Sequence, residues 1–328
     1  MNRERVTKIV LSNSALIVFV MLFVIFGVAA PRFFSVKNAE NIMYSASYIG
    51  IMAIGMTFVL LTGGIDLSIG SNMYLSSIVA GVAINFWGFP VWAALLVALV
   101  VGAVFGIVNA ILISRAGLLP FVTTLGTLIA GRGLGLYITR STSVDFPSSV
   151  SMMGAVRLGG VLPLPIIIFA GVVVISHVFL TRTQRGRQIY AVGNSAEAAS
   201  KAGINTTQIL MTVYILSGVF AALGGFVSVA QLGRIQPNFG EMDELDAIAA
   251  AVLGGTSLFG GIGSVFPGTV LGTVMIQMIQ AGLVFVNMDL YIQPIVTAGI
   301  IFAAVFIDSL RTRQIQKMQR RRILKQTE

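Results

Sequence analysis

The chain has 328 residues, 56% of them hydrophobic and only 10% charged, with a mean hydropathy of +0.92. A water-soluble domain carries about a quarter charged residues, so this composition excludes a soluble enzyme and points to a protein of the bilayer. The formal charge of +9 owes much to the stretch Arg311–Lys325 at the end of an otherwise apolar chain, which suits membrane orientation and not nucleic-acid binding. Cysteine is absent and His177 is the only histidine. Disulfide frameworks, thiolate or imidazole metal clusters and Ser/His/Asp catalysis are therefore not expected.

Each crossing of about 30 Å of hydrocarbon takes roughly 20 apolar residues. In chain order the apolar runs predict helices near 10–30, 45–61, 69–87, 91–114, 118–138, 163–180, 208–231, 247–262, 264–285 and 291–309. The first, from Ile9 to Ala30, outruns the 7–15 residues of a signal-peptide core and predicts a retained anchor. The expected fold is all-α: a polytopic membrane bundle of about ten transmembrane helices, one transmembrane domain over 1–328. Basic residues near helix ends stay cytoplasmic. With both termini inside, the cytoplasmic segments hold Arg3, Arg5, Lys8, Arg115, Arg182, Arg185, Arg187, Lys201 and a basic tail at about 310–328. The other face holds only Arg32, Lys37, Arg140, Arg157 and Arg234.

The 36 glycines suit helices that approach closely in lipid, and Gly102-x-x-x-Gly106, Gly131-x-x-x-Gly135 and Gly268-x-x-x-Gly272 have the small-residue spacing for it. The Gly-rich joints around 61–69 read either as loops or as helices broken at membrane depth. Leu61–Gly70 also faintly echoes Leu253–Ile262 in sequence.

The cytoplasmic loop at about 181–207 is longer than a helix hairpin requires. It contains a short helix with legible ends: Asn194 as N-cap, Glu197 as the answering third residue, Gly203 as the stop. Such a helix is either a docking knob or an ordered loop. Asp66 is a carboxylate in an apolar stretch, which costs about 2.5–3.5 kcal/mol at a helix centre; helix capping, a gating role and a proton relay each explain it.

The residues Glu197-Ala198-Ala199-x-x-x-Gly203 resemble the coupling-helix motif of bacterial ABC importer permeases. Leu61-Thr-Gly-Gly-Ile-Asp-Leu-Ser-Ile-Gly-Ser71, Gly106-Ile-Val-Asn109, Pro120-Phe-Val-Thr-Thr-Leu-Gly126 with Arg132-Gly133, and the run Asp243–Gly263 are similar, in order, to the ribose, xylose, arabinose and galactose permease family. The chain departs from that pattern at Ala110, where the family often has Gly, at Asp243, where it often has an aromatic, and at Ile262, where many relatives have Lys.

The resemblance implies an ATP-driven importer subunit in the bacterial inner (plasma) membrane that moves a pentose or hexose by alternating access. Coupling to an ATP-binding subunit would fall on Asn194, Glu197, Ala198, Ala199 and Gly203. A sugar-binding protein would dock at Glu244 and Asp246, which otherwise read as acids at a helix start. Asp66, Asn109, Thr123, Thr124, Thr127, Gln277 and Gln280 would line the path, since neutral donors and acceptors suit a polyol; hydrogen bonding between helices is the plainer alternative. A second permease subunit, identical or not, completes the pathway. No catalytic residue, metal or cofactor is expected in this chain. It has no phosphate-binding loop, so ATP and Mg belong to the partner. Another small polar solute (a modified sugar, a signalling furanose, a branched-chain amino acid) and an ion-coupled carrier are the alternative readings.

Overall fold

The computed structural model describes residues 14–303 and residue 306; the basic residues Arg3, Arg5 and Lys8 and the tail at 310–328 lie outside them. The described chain is mostly helical. Its elements are α1 (Ser14–Ala29), α2 (Val36–Leu61), α3 (Ile69–Asn85), α4 (Val91–Ser114), α5 (Pro120–Thr139), α6 (Ser148–Ala155), α7 (Leu164–Arg182), α8 (Gln184–Asn194), α9 (Ala196–Lys201), α10 (Thr206–Leu232), α11 (Asp243–Leu253), α12 (Val270–Phe285) and α13 (Gln293–Ala303). Two minimal antiparallel pairs interrupt the all-α expectation: β1 (Val144–Asp145) with β4 (Arg234–Ile235), and β2 (Arg157–Leu158) with β3 (Leu162–Pro163). At the first pair Arg234 Nε donates to Asp145 Oδ1 at 2.6 Å, and this bond holds the exposed Asp145 carboxyl below the usual carboxylate range.

Among the described residues, six helical runs are long and apolar enough to cross a membrane: α2, α4, α5, α7, α10 and the run Val265–Phe285 that ends in α12. The span expected near 247–262 is corrected. Its helix, α11, has 11 residues, about 16 Å at 1.5 Å per residue, because Gly254-Gly255 and Gly260-Gly261 break the apolar run. α3, with 17 residues, is also short for a full crossing. α2 begins earlier than hydropathy suggested, since Lys37, Asn38, Glu40 and Asn41 extend the helix beyond its apolar part.

The chain divides into two compact units, Met43–Val274 and the combination of Met1–Ile42 with Met275–Glu328. In the first, α3 is enclosed: Ile69 through Ile78 are all buried. α4 and α10 cross beside it with almost no side chain between them. A Cβ on Gly102 would lie 2.5 Å from the Gly218 carbonyl oxygen, and one on Gly218 would lie 3.0 Å from the Gly106 amide nitrogen. Asn72 of α3 closes the crossing by donating to the Gly102 and Gly218 carbonyls at 3.3 and 3.2 Å. The other glycine spacings also meet neighbours: Gly131 and Gly135 face Phe105 and Tyr74, and Gly268 and Gly272 face the backbone of Gly254 and Ala250. Ile54, Phe58, Phe169, Ile189 and Val213 belong to the apolar core. Val100, Ile129 and Ile175 point outward and are more than half exposed, the outside-apolar pattern of a lipid-facing surface.

In the second unit Phe26 packs over Gly282, and Phe33 meets Phe285 edge-on at 6.0 Å. Gln277 is buried there and Gln280 half-buried.

Candidate functional site

The joint between α2 and α3 carries the most concentrated polar chemistry of the first unit. α2 ends at Leu61, and the chain then runs through Thr62–Leu67 before Ser68 starts α3. Asp66 is 2% exposed and Ser217 fully buried. One carboxylate oxygen of Asp66 accepts from the Ser68 amide at 3.0 Å and the Ser68 hydroxyl at 2.5 Å, while the other accepts from the Ser217 hydroxyl at 2.7 Å. Ser68 Oγ in turn accepts from Asn109 Nδ2 at 2.8 Å, and Asn109 Oδ1 accepts from Thr127 Oγ1 at 2.8 Å. The bonds run in one direction, Thr127 to Asn109 to Ser68 to Asp66, so each donor's partner is itself polarised towards the carboxylate. Thr124 joins the same region through the Ile65 carbonyl at 3.2 Å.

Three of the residues expected along the path, Asp66, Asn109 and Thr127, thus form one network that ties α4, α5 and α10 to the joint. Thr123 stands apart, donating to the carbonyl of Leu119, the residue just before its own helix, at 3.0 Å. Gln277 and Gln280 belong to the other compact unit. The capping reading of Asp66 holds for Ser68, whose amide it accepts. The Ser68 hydroxyl and Ser217 are the partners that sequence reasoning did not single out. Ser68 lies within the Asp66 motif, but Ser217 is one hydroxyl in a long apolar helix, and nothing in the sequence links it to a position 151 residues away.

The loop between α7 and α10 holds two helices instead of one. Thr183 caps α8 by accepting from the Gly186 amide at 3.0 Å. The assignment of Asn194 as N-cap of the next helix is corrected. Asn194 is the last residue of α8, with its side-chain Nδ2 donating to the Tyr190 carbonyl at 3.0 Å. Ser195, extended at φ −164°, caps α9 instead by accepting from the Ala198 amide. Two adjacent residues can both cap, and only the backbone conformation chooses between them. Glu197 therefore occupies the second helical position, where it pairs with Lys201 at 2.6 Å; both side chains are at least three-quarters exposed. Ala198 is exposed and Ala199 buried. Gly203 does stop the helix, at φ +83°.

Around α11, Glu244 is half-buried, with Oε2 against the backbone at Gly70, and Asp246 is partly buried. Arg132 is half-buried. It donates to the Phe239 carbonyl at 2.6 Å and lies over the Tyr74 ring at 4.6 Å. His177 packs edge-on against Phe266. Asp243, at the start of α11 and outside the long apolar helices, has its carboxyl pushed up to about 7, first by burial and then by the charges of Asp246 and Glu244. The folded chain then holds a proton that the unfolded chain releases near pH 4. The stabilising contribution is present at acid pH and is lost as pH rises through about 7. Relative to Asp243→Asn, the melting temperature of the wild-type protein in detergent is expected to fall between about pH 5 and about pH 8.

Enclosed glycine-packed helices, a buried neutral-donor network and a short exposed helix between two long apolar ones define a membrane transport component. The chain belongs to the family described as branched-chain amino acid transport system / permease component, whose model matches residues 38–307; members are transport subunits rather than enzymes. Among its relatives, the ribose import permease protein RbsC of Escherichia coli K12 is 36% identical over 307 residues, covering 91% of this chain and 94% of the relative. The galactose/methyl galactoside import permease protein MglC of Salmonella typhimurium is 36% identical over 316 residues, covering 90% and 94%. The D-allose transport system permease protein AlsC of E. coli K12 is 36% identical, covering 88% and 89%. The resemblance to sugar permeases is thereby borne out. No solved structure matches the chain.

Proposed function

We propose that this protein is the membrane-spanning permease subunit of an ATP-driven importer that translocates a monosaccharide delivered by a solute-binding protein. The observation that carries the reading is α9: a capped, exposed helix set between the long apolar helices α7 and α10, bearing Glu197-Ala198-Ala199 and Gly203. The named substrates of the relatives, ribose, galactose and allose, support a sugar as cargo. In this reading the ATP-binding subunit, which supplies ATP and Mg, engages α9 and Asn194. A second permease subunit completes the path, and Glu244 and Asp246 contribute to the face where the binding protein docks. About ten membrane-inserted helices, of which α3 and α11 are too short to cross alone, leave both termini on the cytoplasmic side of the bacterial inner membrane. Gln277 and Gln280 keep their assignment to the path.

The test is purification of the tagged chain from its native membrane, with mass spectrometry and ATPase measurement on the eluate. Recovery of an ATP-binding chain whose hydrolysis rises with a sugar-loaded binding protein is the expected result. Recovery of this chain alone, together with ion-gradient-driven uptake in liposomes, would overturn it. The coupling assignment has its own test in Glu197→Arg combined with Gly203→Val. The first removes an exposed pair worth under about 1 kcal/mol, and the second strains a left-handed residue with open space around it. The folded yield is expected to survive while uptake falls by about tenfold or more; normal uptake at normal expression contradicts the assignment.

A further inference from the structure

The Gly-rich echo noted in the sequence, Leu61–Gly70 against Leu253–Ile262, has a spatial counterpart. The two segments touch, and the end of α8 is wedged against both. The Gly261 amide donates to the Leu61 carbonyl at 2.9 Å, tying the last residue of α2 to the segment after α11. Gly193, one residue before the end of α8, sits on this bond. A Cβ there would fall on the Leu61 carbonyl oxygen and lie 2.6 Å from the Gly261 nitrogen. A Cβ on Gly260 would lie 2.7 Å from the Gly193 oxygen and 3.0 Å from the Gly63 nitrogen, and one on Gly261 would fall on the Asn194 side-chain oxygen. One turn back along α8, the Tyr190 hydroxyl donates to the Gly263 carbonyl at 2.9 Å. α8 therefore grips the 260–263 segment at two points, and three backbones meet with no side chain between them.

We propose that Gly193, together with Tyr190 and the Gly260-Gly261 pair, forms a rigid backbone junction through which displacement of α9 is delivered to the Asp66 joint. The proposal rests on α9 being the coupling helix. The mechanical argument is that a contact between side chains absorbs small displacements by changing rotamers, whereas a backbone-to-backbone contact has no such slack. At the near end, α8 and α9 are separated by Ser195 alone, whose amide closes onto the Ala191 carbonyl at 3.2 Å while its hydroxyl caps α9. No compliant loop intervenes. At the far end, Leu61 is five residues from Asp66, whose carboxylate is fixed to α3 and α10 through Ser68 and Ser217. A push on α9 is thus transmitted to the start of α3 and, through Gly261, to the segment that precedes α12. Tyr190 and Gly193 act as positioning residues; neither needs to touch the cargo.

The test uses the complete importer in liposomes, reading sugar transported per ATP hydrolysed, complex assembly and melting temperature together. Gly193→Ala and Tyr190→Phe are compared with Gly171→Ala, a control on α7 with nothing within 4 Å. The expected result is that Tyr190→Phe lowers the transport-to-hydrolysis ratio by about fivefold while assembly persists, with a larger fall for Gly193→Ala and none for Gly171→Ala. A purely structural role would lower melting temperature and leave the ratio of the assembled complexes unchanged, which overturns the proposal. Because the chain lacks cysteine, spin labels at Ser200→Cys on α9 and Phe259→Cys beside the junction give a second readout that survives a failure of Gly193→Ala to fold. Their separation is expected to stay the same between nucleotide-free and ATP-trapped complexes, and a shift between the two states overturns rigid transmission. Absence of any ATP-driven uptake by the wild-type chain is a different outcome, which removes the importer reading itself.

Discussion

Asp66→Ala is expected to cost the folded protein about 2–4 kcal/mol, measured as a shift of the unfolding midpoint in detergent. The substitution strands the Ser68 amide and leaves the Ser68 and Ser217 hydroxyls without their acceptor, in a site that solvent barely reaches. Because Asn109 and Thr127 hang on the same chain of donors, the loss spreads to the contacts of α4 and α5 with the joint. Asp66→Asn is the informative comparison. Its carbonyl oxygen still accepts from Ser68 and its amide can donate to the Ser217 oxygen, so about half of the loss should be recovered. Equal stability of the alanine variant and the wild type would show that the network does not hold the joint.

Gly218→Ala is expected to be at least as damaging, at about 3 kcal/mol or more, although it adds one methyl group. The new carbon would fall on the Gly102 carbonyl and lie within 3.1 Å of the Gly106 backbone, and a backbone has no rotamer to yield with. The helices must separate, which also pulls the Gly102 and Gly218 carbonyls from the Asn72 amide. Gly126→Ala and Gly133→Ala, on α5 with nothing within 4 Å, should change stability by under about 0.5 kcal/mol. The yield of monodisperse protein separates the two classes of glycine directly.

That contrast also shows what the sequence could disclose. The spacing Gly102-x-x-x-Gly106 announced a close helix contact, and the contact exists, but spacing names no partner: nothing in the local pattern selects Gly218. Asp66 was legible as a charge in an apolar run, whereas Ser217 was not, since isolated serines are unremarkable in membrane helices. Hydropathy reads through Gly254-Gly255 and Gly260-Gly261 because glycine is neither polar nor strongly apolar, so it joined α11 to the irregular segment after it as one span. The choice between Asn194 and Ser195 as cap turned on one extended backbone conformation that composition does not encode. Periodicity and charge reveal which residues want company; only the folded chain reveals whose.

The enclosure of α3 bears on how such a chain is made. Within ten residues α3 carries Ser71, Asn72, Ser76 and Ser77, all buried, and the Asn72 side-chain nitrogen has both of its acceptors only when Gly102 and Gly218 have both arrived. Gly102 follows Asn72 by 30 positions but Gly218 by 146, so during synthesis the Asn72 side-chain nitrogen gains its second acceptor only after α10 has been made. The helix made early is locked late. Biogenesis of this protein is therefore a matter of order as well as hydrophobicity, and a chain truncated before α10 leaves α3 without the partner that completes it.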